Sequence, residues 1–242
     1  MTRKNKARYG LARSYRIAPT VKILRAAIMA GVVVTSVGTA NAAPLPAFNA
    51  GISVYEPDID VVIDNVYDYT VDASFKAVGI SGIANNGDVS INNSGDLDVY
   101  ADGYYGSSSA YGIISSAYGE SNVINSGNIN VMAHTSLNNF NSAEAQGIKS
   151  FANTGDSIVA NDGIIHIDIA STGTGLAFGI NAYSGYGDVN VQNTGDIYIA
   201  ADAGGMAIAS GIEVSSRTGN GAVDNSGDII INVESESWAS LH

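Results

Sequence analysis

From Val61 onward, apolar and polar residues alternate with a period of two over short stretches, the spacing of a strand with one buried face. Asp96-Leu97-Asp98-Val99 and Asp196-Ile197-Tyr198-Ile199 show the alternation plainly. The stretches recur around an Asn-small-Gly triplet: Asn93-Ser94-Gly95, Asn125-Ser126-Gly127, Asn161-Asp162-Gly163, Asn193-Thr194-Gly195 and Asn225-Ser226-Gly227, at intervals of 32, 36, 32 and 32 residues. Apolar columns align on each asparagine. Two positions before it stand Ile91, Val123, Val159, Val191 and Val223, and four positions after it stand Leu97, Ile129, Ile165, Ile197 and Ile229. Two further on come Val99, Val131, Ile167, Ile199 and Ile231. Upstream of each asparagine a Gly-Ile pair places Ile80, Ile113, Ile148, Ile180 and Ile212. A weaker copy surrounds Asn65 and lacks the glycine.

Each unit predicts three short strands: one at Gly-Ile, one ending at the asparagine and one starting after the glycine. Val and Ile fill the strands, and Asn, Gly, Ser, Thr and Asp fill the corners. Asn-x-Gly suits a corner because both residues tolerate positive φ. One such unit has too little apolar surface to fold alone; stacking identical units pairs like strand with like strand and buries a continuous column. The fold class expected is therefore all-β, a parallel β-helix (β-solenoid) of about five to six coils, some 25–30 Å long at ~4.8 Å per coil. The four prolines all lie at or before Pro57, as a ladder needing every N–H requires. The longest connections, Ala101–Ala110 and Ala133–Ala145, are read as projecting loops.

Charge separates the front of the chain from the rest. Eight of the eleven basic residues precede position 26, whereas from Ala43 onward Lys76, Lys149 and Arg217 face all 23 acids, a formal charge of −20. A surface of that sign repels phosphate, so no nucleic-acid partner is expected. The basic segment leads into the apolar run 26–37 and then Ala40-Asn41-Ala42, the three parts of a secretory signal cleaved after Ala42. The run is too short for a comfortable bilayer span. Cysteine is absent, which removes disulfides, thiolate metal sites and cysteine nucleophiles together. The chain thus divides into a signal (1–42), an N-terminal linker or cap (43–58) and the repeats (59–242), in units around Asn65, Asn93, Asn125, Asn161, Asn193 and Asn225.

A long basic signal, a cysteine-free mature chain, and motifs such as Asn193-Thr194-Gly195-Asp196-Ile197 and Asn225-Ser226-Gly227-Asp228-Ile229 resemble the passenger domain of a bacterial autotransporter (type V secretion). The resemblance covers essentially the whole chain and implies an architecture and an export route, not an activity. It implies a right-handed β-helix, displayed at the cell surface or outer membrane or released outside a Gram-negative bacterium. In that family an outer-membrane β-barrel follows the passenger. Here no barrel-like segments precede Ser240-Leu241-His242, so the expectation is a fragment or truncated frame, or a barrel acting in trans.

Candidate chemistry is sparse. Gly155-Asp156-Ser157 invites a nucleophile reading, but Ser157 stands in the slot that Val89 and Val189 hold elsewhere, and no adjacent base is apparent. His134 is read in a variable loop, His166 at an outward strand position and His242 at the end, without metal-ligand spacing. Asp96, Asp196 and Asp228 share a column, which suggests either calcium between stacked carboxylates or corner capping of N–H groups; the asparagines suggest a structural ladder. Tyr100, Tyr104, Tyr105 and Tyr111 in one loop, with Tyr183 and Tyr186 in another, offer either a contact surface or a cover for the loop base. Tyr104, Tyr105 and Tyr111 are the candidate binding residues. No catalytic residue, no metal and no cofactor is expected. The function expected is a non-enzymatic passenger segment for adhesion or biofilm contact with a host-cell, glycan or matrix ligand. The alternatives are an exported polysaccharide lyase or hydrolase, and a purely structural stalk. An enzyme of that kind needs a basic residue converging with acids in a groove, and along the sequence Lys149 and Arg217 do not clearly converge.

Overall fold

A computed structural model describes residues 32–34, 48–103, 106–135, 141–236 and 238–241. Ala42, Tyr104, Tyr105 and His242 lie outside the described residues, as does most of the expected signal. The described residues contain strands joined by bends and irregular corners, and no helix. They form a parallel β-solenoid of about six turns, with three sheets running along its axis.

The strands that end at the asparagine make the first sheet: β3 (Val61–Asn65), β6 (Val89–Asn93), β9 (Ser121–Asn125), β12 (Ser157–Asn161), β15 (Val189–Asn193) and β18 (Gly221–Asn225). A short strand from the expected signal's apolar run, β1 (Val32–Val34), pairs with β3 at its edge. The strands after the corner glycine make the second, acidic sheet: β4 (Tyr69–Ala73), β7 (Leu97–Gly103), β10 (Ile129–Thr135), β13 (Ile165–Ser171), β16 (Ile197–Ala203) and β19 (Ile229–Ser235). The Gly-Ile strands make the third: β2 (Phe48–Glu56), β5 (Lys76–Ala84), β8 (Ser108–Ala117), β11 (Ala143–Ala152), β14 (Gly175–Ser184), β17 (Met206–Ser216) and β20 (Trp238–Leu241). β2 begins inside the segment read as a linker or cap. Its Gly51-Ile52 is one more copy of the Gly-Ile signal, with Ile52 paired to Ile80.

Every neighbouring pair is parallel and in the register the repeat dictates: Ile91 beside Val123, Ile129 beside Ile165, Ile148 beside Ile180. The aligned columns are the interior, with Ile80, Ile91, Ile113, Ile148, Ile165 and Ile197 fully buried. At the C-terminal end the column is open. Val223 and Ile229, whose counterparts are buried in earlier coils, are 46% and 38% exposed.

The coils are held in register by side chains that bridge between them. Nδ2 of Asn93 donates to Oδ1 of Asn125 (2.7 Å) and to the carbonyl of Gly95 (2.8 Å). Asn125 repeats this with Asn161 and Gly127, and Asn161 with Asn193 and Gly163. Asn65 and Asn193 extend the ladder to both ends. The side chains from Asn65 to Asn193 are buried, so the ladder supplies the partners that buried amides require.

The corner glycines are needed for a reason other than the one expected. None of Gly95, Gly127, Gly163, Gly195 and Gly227 lies in the left-handed region that only glycine enters freely. What excludes a side chain is the coil before: a Cβ on Gly163 would overlap the carbonyl oxygen of Gly127, and a Cβ on Gly127 that of Gly95. The loops also differ from expectation. β7 continues to Gly103 and β10 to Thr135 because the inward positions 101 and 103, and 133 and 135, stay small and buried. His134 and Tyr100, expected in loops, therefore stand on strands of the acidic sheet, and Tyr111 and Tyr183 stand on β8 and β14.

Candidate functional site

Several sequence candidates resolve into scaffold. Ser157 is fully buried, and its hydroxyl is 2.8 Å from that of Ser150; Ser150 is 2.7 Å from Ser121, and Ser121 is 2.6 Å from Ser115. These four serines zigzag between the asparagine and Gly-Ile sheets inside the solenoid, closed to any substrate. Replacing Ser157 with alanine is expected to cost about 1 kcal/mol, read as a small drop in a urea midpoint, and to leave ligand retention unchanged. Nε2 of His134 lies 3.8 Å from a carboxylate oxygen of Asp168, and the His134 ring meets Tyr100 edge-on at 5.6 Å. His166, exposed as expected, meets Tyr198 at 6.4 Å.

The corner aspartates cap N–H groups, although each serves the next coil rather than its own turn. Asp96 Oδ1 accepts from the N–H of Asn128 at 2.8 Å, and Asp196 Oδ1 from that of Asp228 at 2.9 Å. A second such column links Asp88 to Glu120 and Asp156 to Asp188. Among the described residues no group of three or more His, Asp or Glu side chains is placed to hold a metal ion.

The outer faces differ in character. The acidic sheet presents Asp72, Asp98, Asp102, Asp168, Asp202 and Glu234 to solvent. The Gly-Ile sheet instead carries Lys76 and Lys149, with Arg217 directly after β17, which are all three cations of residues 43–242. Its outward columns are rich in apolar and aromatic side chains. Tyr55, Ile83, Ser116, Phe151 and Tyr183 form one such column across adjacent coils. Phe151 and Tyr183 stack in parallel, 5.3 Å apart and inclined by 9°.

A bend in these strands shapes the face. A Cβ on Gly112 would meet the interior side chain of Ile129 and the carbonyl oxygen of Gly147, so Gly112 faces inward like Ile113, which follows it. Two consecutive inward positions force a local kink of the kind glycine permits. The equivalent glycines Gly79, Gly147, Gly179 and Gly211 repeat it in other coils. Beside the kink, Val78 and Tyr111 line a hollow of about 560 Å³, together with Ile114, Ser116, Phe151 and the two lysines.

Within that hollow Tyr111 is 8% exposed and lies between two ammonium groups, Lys76 Nζ at 5.5 Å and Lys149 Nζ at 5.7 Å from its ring centroid. Both fall within cation–π range. Lys76 on β5 and Lys149 on β11 flank β8, so two of the three cations converge on one ring, a different pair from the Lys149 and Arg217 weighed in the sequence. Burial first, then the neighbouring Glu144 carboxylate, holds the Tyr111 phenol well above the usual tyrosine range. Glu144 itself accepts a 2.6 Å hydrogen bond from Gln146 Nε2. The same sign appears at Tyr100, by burial and then Asp102 and Asp72, and at Tyr198, chiefly through its hydrogen bond to Asp196.

A phenol whose folded pKa is raised stays neutral in the fold after its unfolded counterpart has ionised. The stability it contributes is complete below pH ~10 and is lost as pH climbs from there toward the raised value. Chemical denaturation between pH 9 and about 12 is therefore expected to show falling stability, with a shallower fall in Tyr111→Phe.

A second hollow, at the corner between the acidic and Gly-Ile sheets, is lined by Ser171, Thr174, Asp202, Gly205 and Glu236. It holds acids and small residues and no cation or aromatic ring. Comparison with protein-family models, with curated proteins and with solved structures finds no match to this chain.

Proposed function

We propose that the chain is a non-enzymatic β-helical passenger segment of the autotransporter type, exported to the surface of a Gram-negative bacterium or beyond it. In this reading it makes adhesive contact through the outer face of its Gly-Ile sheet. An outer-membrane β-barrel, downstream or separate, carries it out. The observation that carries the contact role is the asymmetry of the faces: one face collects the cations, the stacked aromatics and a hollow, while the acidic face carries solvated carboxylates. Large amphipathic rings at low entropy cost are what contact surfaces use. A solenoid sets such groups in straight rows along its axis, which suits an extended ligand. The basic leader and the lack of cysteine support the export route, since the chain needs no oxidative folding on its way out.

Two experiments test this. Beads coated with the full chain are expected to be retained on cultured animal cells, matrix protein or polysaccharide films above albumin-coated beads; equal retention on all three would contradict the adhesive role. Incubation with acidic polysaccharides is expected to produce no new unsaturated ends, and measurable turnover would replace this reading with that of a lyase.

A further inference from the structure

We propose that the Lys76–Tyr111–Lys149 hollow is a binding subsite for an acidic polysaccharide, a chain of uronate sugars, lying along the solenoid axis. The inference rests on the Gly-Ile face being the contact surface and names what that face binds. Three properties of the hollow select this chemistry.

The first is charge. Residues 43–242 carry three cations against 23 acids, and two of the three stand over one ring. Their strands are separated only by β8, so the two lysines are offset by about 10 Å along the axis, a span that two linked sugar rings cover. A uronan offers one carboxylate per ring, enough for each ammonium to meet one. A densely charged polyphosphate would meet the acidic remainder of the protein at every other step. The second property is the apolar surface. Ile114 and Phe151 line the hollow, and Phe151 stacks on Tyr183 in the next coil. Pyranose rings have apolar C–H faces that pack on aromatic rings, whereas a small inorganic anion has no use for them. The third is a set of hydroxyls. Ser53 and Ser81, paired on adjacent coils, and Ser116 in the neighbouring outward column line the same hollow and offer donors and acceptors to sugar hydroxyls. The hollow takes its lining from four successive coils, β2, β5, β8 and β11, so its length lies across the coils, in the direction the polymer would take.

The test uses the full chain and isothermal titration with polygalacturonate. Three comparison ligands are its fully methyl-esterified form, which keeps the rings and removes the charge, a neutral β-glucan, and duplex DNA. Binding is expected for polygalacturonate alone, weakening as salt is added. The variant Lys76→Gln with Lys149→Gln is expected to bind about tenfold more weakly, with an unchanged melting curve. Lys76→Arg with Lys149→Arg is expected to keep most of the affinity. Equal binding of the esterified polymer or of DNA, undiminished binding by the glutamine variant, or no binding of polygalacturonate would each overturn the proposal. Bead retention separates the two levels of the reading. Retention that survives in the glutamine variant refutes the uronate subsite while the adhesive face stands, and loss of retention by the unaltered chain refutes both.

Discussion

Replacing Asn125 with alanine is expected to destabilise the solenoid by roughly 3–5 kcal/mol, seen as a large drop in the urea midpoint and as faster amide exchange in the coils on either side. The magnitude follows from the groups the change leaves behind. Asn125 receives Nδ2 of Asn93 and donates to Oδ1 of Asn161 and to the carbonyl of Gly127, all inside the protein. Removing the amide leaves three buried polar groups short of a partner, and each costs about 1–3 kcal/mol when water cannot reach it. Aspartate at the same position is expected to be no better, because a carboxylate accepts but cannot donate to Gly127 or Asn161. Asn225, at the open end, is exposed, and its replacement is expected to cost well under half as much. If both positions gave the same small loss, the ladder would not be what holds the coils in register.

The second large effect is expected at Gly163. Alanine there places a methyl group against the Gly127 carbonyl and 3.1 Å from Asn125 Nδ2. Coils stacked at ~4.8 Å have no slack to absorb it, so the corner must open and strain the ladder beside it. A loss of ~3 kcal/mol or more is expected, at the upper end of overpacking costs. Gly175→Ala is the control: its Cβ would meet only side-chain carbons of Ile169 and Ala203, at 3.3 and 3.4 Å, and it is expected to cost less than about 1 kcal/mol. Thermal melts of the two variants side by side distinguish a steric limit set by stacking from a general intolerance of alanine for glycine.

Much of this fold is legible in the sequence because stacking repeats its constraints once per coil. Each inward position is tested five or six times over, so Ile91, Val123, Val159, Val191 and Val223 stand out as one column, and the asparagine ladder is visible as a spacing. Ser157 can be set aside for the same reason: its slot is held by Val89 and Val189 in other units and by Ser121 in another. Outward positions carry no such repetition. The strand extensions through Gly103 and Thr135 are not legible in the sequence, because alanine, glycine and threonine at inward positions look like loop residues. The Asn-x-Gly corner was recognised for the wrong reason, since sequence shows that a side chain is excluded but not whether backbone conformation or a neighbouring coil excludes it.

The cleft between Lys76 and Lys149 was the hardest feature to anticipate. Tyr111 was singled out with Tyr104 and Tyr105 as a loop residue, yet it belongs to the strand that follows. A usable signal was present nonetheless. With the Gly-Ile pairs of three successive coils aligned, Lys76 falls four residues before its isoleucine, Tyr111 two before and Lys149 one after, a diagonal across one outward face. Side-chain reach then brings both ammonium groups over the ring, which sequence offsets alone do not convey.

The most direct test of the contact face uses the chain's own lack of cysteine. Single cysteines at Ser116 on the Gly-Ile face, Asp98 on the acidic face and Asn190 on the asparagine face can each be coupled to a bulky polyethylene glycol. Bead retention is then measured before and after coupling. The account predicts that coupling at Ser116 abolishes retention while coupling at Asp98 or Asn190 leaves it intact. Retention that survives at Ser116 and is lost at Asp98 would contradict it and move the contact surface to the acidic sheet.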